Sequence, residues 1–138
     1  MIDSYSNTSQ EVVAGGNIPF AINSIQTGCT ATHSAGSTTF SLNKPGFYFI
    51  TFNGTGAITG ATAGTIIVSM LNNGTLVPGA TASVSSASTT DVRSLAFSKL
   101  IQVKPSCCAV NNTTNLTFNN AGLAATFTNV NVVITKIA

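Results

Sequence analysis

Charge is what this sequence has least of. Of its 138 residues, five are Lys or Arg, three are Asp or Glu and one is His, so 6% carry charge; an ordinary globular domain has roughly 25%. The acids are Asp3, Glu11 and Asp91, and the single imidazole is His33. Paired carboxylates for acid–base catalysis are therefore almost out of reach. A Ser-His-Asp triad has only His33 and Asp91 to draw on, and no Gly-x-Ser-x-Gly elbow frames a nucleophile. Calcium asks for about six oxygens or more with several charges, and Asp91 is the only acid beyond the first sixteen residues. No catalytic residue, no metal ligand set and no cofactor is expected.

The other shortages exclude partners. The five cations, Lys44, Arg93, Lys99, Lys104 and Lys136, are scattered along the chain, without the basic cluster that marks a nucleic-acid binder. No stretch approaches the roughly 18 apolar residues of a membrane helix, so no membrane insertion is expected. No positive segment followed by an apolar run opens the chain, and it is read as made without an export signal.

Cysteine is scarce and odd in number: Cys29, Cys107 and Cys108. Three readings stand side by side: structural thiols, a disulfide from Cys29 to Cys107 or Cys108, and a metal site. The adjacent pair is too close for a relaxed bridge of its own, and a metal site lacks a fourth nearby ligand.

Thr, Val, Ile and Phe fill the apolar runs, with Gly, Asn and Ser between them. That is the punctuation of strands, and no helix of ten residues is expected. The predicted strands are 17–25, 38–42, 46–54, 64–71, 76–83, 94–103, 115–118 and 126–136. Asn72-Asn73-Gly74-Thr75 reads as a hairpin turn, because Asn and Gly accept positive backbone angles. About eight strands without helices close most naturally as an antiparallel β-sandwich of the jelly-roll type.

Parity within the strands carries a further message. After the turn Asn43-Lys44-Pro45-Gly46, alternation puts Tyr48, Ile50 and Phe52 on one side and Phe47 and Phe49 on the other. In the last strand Val130, Val132 and Ile134 oppose Val133 and Ile137. Apolar residues on both faces imply that the second face is covered, by the same chain or by another copy.

The spacing of Phe40, Gly46, Tyr48 and Phe52 resembles the C1q/tumour-necrosis-factor signature, F-x5-G-x-Y-x-F-x-[FY], with Ile50 where the family usually has Phe. Residues 70–79, Met-Leu-Asn-Asn-Gly-Thr-Leu-Val-Pro-Gly, look like the LNGxxVPG hairpin of its bacterial branch, which includes the C-terminal domains of BclA-like spore-surface glycoproteins. The ending 129–137 is similar to that branch's last strand. The resemblance implies a homotrimeric jelly roll packed about an apolar threefold axis, with Phe47, Phe49 and Val133 at the subunit interface.

The first sixteen residues, rich in Ser, Asn and Thr, read as an N-terminal arm (1–16) ahead of the jelly-roll domain (17–138). Ile2, Tyr5, Val12 and Val13 are its candidate residues for anchoring to a larger particle. The collagen-like stalk of the spore-surface relatives is missing. Together with the scarcity of charge, this predicts a non-enzymatic virion protein of a bacterial virus, decorating the capsid or forming a short head-fibre knob. Its partners would be itself, another virion protein through the arm, and glycans weakly through loops such as 57–64. A spore-exterior or cell-surface adhesion module is the alternative.

Overall fold

The computed structural model describes residues 1–60, 62–105 and 114–138. In chain order their strands are β1 (Ile2–Ser6), β2 (Gln10–Val12), β3 (Ile22–Gln26), β4 (Ala31–Thr32), β5 (Thr39–Leu42), β6 (Gly46–Ile58), β7 (Gly64–Asn72), β8 (Thr75–Ser86), β9 (Arg93–Val103), β10 (Thr114–Asn120) and β11 (Ala125–Lys136). They make two antiparallel sheets. One runs β3-β1-β11-β6-β9, with β2 also paired to β11; the other runs β4-β5-β10-β7-β8. The sequence expectation of an all-β jelly roll holds. No helix among the described residues is long and apolar enough to cross a membrane.

The core lies between the sheets and is built by alternation. Tyr48, Ile50 and Phe52 of β6 and Val130, Val132 and Ile134 of β11 point inward from the first sheet; Ile66, Val68 and Met70 of β7 and Leu116 and Phe118 of β10 meet them from the second. An aromatic cluster joins the two layers. Phe118 lies 5.6 Å from Phe52 in a stacked arrangement and 5.8 Å from Phe40 edge-to-face, the geometries that ring quadrupoles favour. Asn73 and Gly74 both take positive φ, 49° and 83°, which is the primed hairpin turn that their side chains select.

The expected arm is not an arm. Residues 2–6 form β1, hydrogen-bonded on one side to β11 and on the other to β3, and β2 pairs with the start of β11. Ile2 and Val12 are buried in the core. The reason the segment reads as a loose polar end is that its inward positions after Ile2 are serines. Ser4 and Ser6 are buried, and their hydroxyls are satisfied by backbone. Ser4 Oγ donates to the Ile22 carbonyl at 3.1 Å, and Ser6 Oγ accepts from the Ala21 N–H at 2.8 Å. A buried hydroxyl with a partner costs little, so polar letters here occupy core positions.

The strand expected over 17–25 is shorter, Ile22–Gln26. Pro19 has no N–H to give a ladder. Ile18 and Phe20 are nonetheless fully buried, bonded as irregular chain to the Phe118 and Ser37 carbonyls.

Candidate interaction face

The outward face of the first sheet is where the apolar residues without a core to join collect. Phe47 and Phe49 of β6 are 40% and 43% exposed, Leu100 of β9 is 52% exposed and Ile137 just after β11 is 57% exposed. Register brings them together. Phe49 lies opposite Leu100 on one side and Thr135 on the other. The Ile137 N–H donates to the Phe47 carbonyl at 2.8 Å, so Ile137 continues the same row. Val133, half-buried, sits one step along β11 opposite Thr51. Farther across, Ile22 and Ile25 of β3, also exposed, stand opposite Tyr5 and Asp3 of β1.

The structure therefore places Phe47, Phe49 and Val133 on one continuous face and adds Leu100, Ile137, Ile22 and Ile25. Parity marked Val133 and Ile137 as sharing a side. Which strand neighbours β6, and in what register, is not written in any local pattern. Asp3 and Tyr5 of β1 and Thr51 and Thr135 interrupt the apolar residues on this face, and the exposed apolar side chains are densest around Phe47, Phe49, Leu100 and Ile137.

The same face changes character along its strands. Past Thr51 it carries Asn53 opposite Asn131, then Thr55 opposite Asn129. With Ser94 and Ala96 of β9 they border a shallow groove of about 320 Å³. Asn131 Nδ2 donates to Asp3 Oδ1 and to the Ser4 carbonyl. Tyr5 is half-buried on this side, while Val13 is exposed beyond β2. Of the four residues expected to anchor an arm, two are core and two are surface, and they form no common site.

His33 lies in irregular chain just after β4, yet it is interior, 4% exposed. Its ring stacks on Phe40 at 4.2 Å. Nε2 donates to the Ser37 carbonyl at 2.8 Å, and Nδ1 faces Asn23 Oδ1 at 2.6 Å and Ser4 Oγ at 3.4 Å. Burial pushes its pKa below the ordinary imidazole value, against the pull of the Ser37 carbonyl. Asp91 is engaged elsewhere: Oδ2 accepts from the Ala87 N–H at 2.7 Å and Oδ1 from Arg93 Nε at 2.9 Å. Those two contacts hold its carboxyl below the usual range, the Ala87 N–H most of all. His33 and Asp91 thus have separate hydrogen-bond partners and do not build a triad.

Among the described residues no three His, Cys, Asp or Glu side chains come together. Cys29 is an exposed free thiol; Cys107 and Cys108, on which the choice among the three cysteine readings turns, lie outside the described residues. The loop expected over 57–64 is narrower, since Ala57 and Ile58 are buried at the end of β6 and Gly64 opens β7.

No family model matches the sequence, and no curated protein sequence does. Solved structures do match the fold. PRD1 vertex protein P5 superposes with a TM-score of 0.55 at 18% identity, over 99% of this chain and 96% of that one. Murine APRIL at pH 8.5 gives 0.55 at 10% identity, over 99% and 98% of the two chains. Murine APRIL at pH 5.0 gives 0.55 at 8% identity, over 96% and 98%. The fold is a TNF/C1q-like jelly roll. Identities this low carry the architecture and nothing finer. The two strands of the jelly roll that hold the signature residues, β5 with Phe40 and β6 with Gly46, Tyr48 and Phe52, use them as core and turn. The motif is thus a folding signature, and Phe47 and Phe49 beside it point outward.

Proposed function

We propose that this protein is a non-enzymatic structural component of a bacteriophage virion, a jelly roll that assembles as a homotrimer and decorates the capsid or caps a short head fibre. The observation that carries the reading is the apolar outer face of the first sheet, centred on Phe47, Phe49, Leu100 and Ile137. In a threefold assembly each copy covers that face of its neighbour, and the closed symmetry prevents runaway growth. Val133 and the flanking Ile22 and Ile25 lie at the margins of the contact. Two further features support a particle role. A vertex protein shares the fold, and a chain in which only 6% of residues are charged suits a molecule that is held in an assembly rather than dispersed by repulsion.

Attachment through residues 1–16 is not part of this proposal, because β1 is an inner strand of the sheet. Any weak glycan contact would fall on the loops between strands. The test is a density gradient of lysate from producing cells, with peptides of the chain followed by mass spectrometry. Co-sedimentation with phage particles supports the reading. Recovery with spores, or as free trimers with a saturable glycan ligand, replaces it with the surface-adhesion alternative.

A further inference from the structure

The cations that are scattered in sequence are not scattered in space. Three of the five gather at one end of the sandwich, around Gly46. Lys44 lies in the turn before β6, and that turn is pinned because Tyr48 Oη donates to the Lys44 carbonyl at 2.6 Å. Lys136 pairs in register with Tyr48. Its ammonium passes so close to Gly46 that a Cβ there would lie 2.9 Å from Nζ, and it donates to the Ala138 oxygen at 3.0 Å. Lys104 directly follows Val103, the β9 partner of Gly46. All three side chains are exposed. Gly46 has φ +143° and its missing Cβ would collide with the Ala138 oxygen and with Lys136, so glycine is what lets β11's end cross this turn.

The acidic side chains are elsewhere, although the Ala138 oxygen lies among the lysines and takes one bond from Lys136. Glu11 pairs with Thr126, and Asp91 is bonded to Arg93, which stands opposite Gly56. Gly46 and Gly56 are ten residues apart on β6, about 33 Å along a strand. Asp3 sits on the outer face, tied to Ser24 and Asn131. Basic side chains are thus densest at one end, where Lys44, Lys104 and Lys136 gather apart from Asp3, Glu11 and Asp91.

We propose that the Gly46 end docks on an acidic protein surface. This rests on the virion reading for the partner's setting, a neighbouring protein of the particle. Lysines grouped around one turn, beside the edge of the trimer contact rather than within it, suit a charged contact that steers encounter and fixes orientation. Nucleic acid fits less well. Lysines offer point charges without the guanidinium fork that grips phosphate, and Arg93 is at the other end.

The experiment uses the full chain, a fluorescent acidic peptide of ten alternating Glu and Gly residues, and a single-stranded oligo-dT of equal charge. Anisotropy is read at low and at physiological salt for wild type, for K44Q/K136Q and for R93Q/K99Q, which removes equal charge away from this end. Circular dichroism verifies that each variant is folded. The proposal expects peptide binding that weakens about tenfold in K44Q/K136Q, less than about twofold in R93Q/K99Q, and further with salt. Equal weakening in both variants, no peptide binding, or tighter binding of the oligo-dT overturns it. The density gradient judges the virion reading separately: particles that bind wild type and K44Q/K136Q alike would also defeat this docking site while leaving that reading intact.

Discussion

Phe49 of β6 stands directly opposite Leu100 of β9, both pointing away from the core and both about half exposed. On the inward side of the same two strands Ile50 and Ile101 are buried. The sheet therefore has apolar contact chemistry on both surfaces, and only one of them finds its partner within the chain. Burying the outer pair in an assembly yields roughly 25 cal/mol for each Å² of apolar surface removed from water.

Leu100→Asp is expected to leave the chain folded, because the side chain makes no core contact, and to weaken assembly at least about tenfold by placing a charge in an apolar contact. Size-exclusion chromatography with light scattering checks the mass, and far-ultraviolet circular dichroism checks the fold. A variant that assembles like wild type removes Leu100 from the interface.

Ile2→Ala should cost about 3 kcal/mol of stability, the range for truncating a fully buried aliphatic side chain. Deleting residues 1–6 should abolish cooperative folding altogether, since it strips β1 from between β3 and β11. Urea unfolding monitors both. A deletion variant with wild-type stability would restore the idea of a detachable arm.

Asn120 is completely buried and fully occupied. Its Nδ2 donates to the Val12 carbonyl at 3.0 Å and the Leu123 carbonyl at 2.9 Å, while Oδ1 accepts from the Gly122 N–H at 3.1 Å. Asn120→Ala strands those backbone groups, and the expected loss is about 2 kcal/mol or more. The same urea experiment measures it; a loss below about 0.5 kcal/mol would mean that water takes over the bonds.

His33 gives a pH dependence with a defined sign. Its folded pKa lies below the unfolded value of 6.5 because burial disfavours the imidazolium. The unfolded chain therefore takes up the proton first, and stability falls as pH drops below about 6.5 until the folded form also protonates. It is the only histidine in the chain, so His33→Gln should flatten the slope of stability between pH 7 and 5, whatever it does to stability itself. Thermal melts across that range decide it. A melting temperature that rises with acidity in wild type and not in the variant would show that the acceptors at Asn23 and Ser37 outweigh burial.

Much of the sandwich was legible because strands declare themselves by period. β5 to β11 fall where alternation and turn residues put them, and Asn73-Gly74 makes the expected hairpin. β1 was illegible for a physical reason: Ser4 and Ser6 fill core positions through hydrogen bonds to chain fifteen to eighteen residues away, which no local pattern reveals. β4 has only two residues. The outer face was half legible. Phe47, Phe49 and Val133 showed by parity, whereas Leu100 beside Phe49 and the lysines around Gly46 depend on which strands neighbour one another, a property of topology.

The central claim is that the outer face of the first sheet is covered by other copies of this chain. Sedimentation velocity of the purified protein over a range of concentrations tests it most directly. The account predicts a single species of about 42 kDa, three times the 14.0 kDa chain in a closed threefold ring, that dissociates on Phe49→Ser. A stable 14.0 kDa monomer at every concentration, with Phe49→Ser indistinguishable from it, would contradict the account.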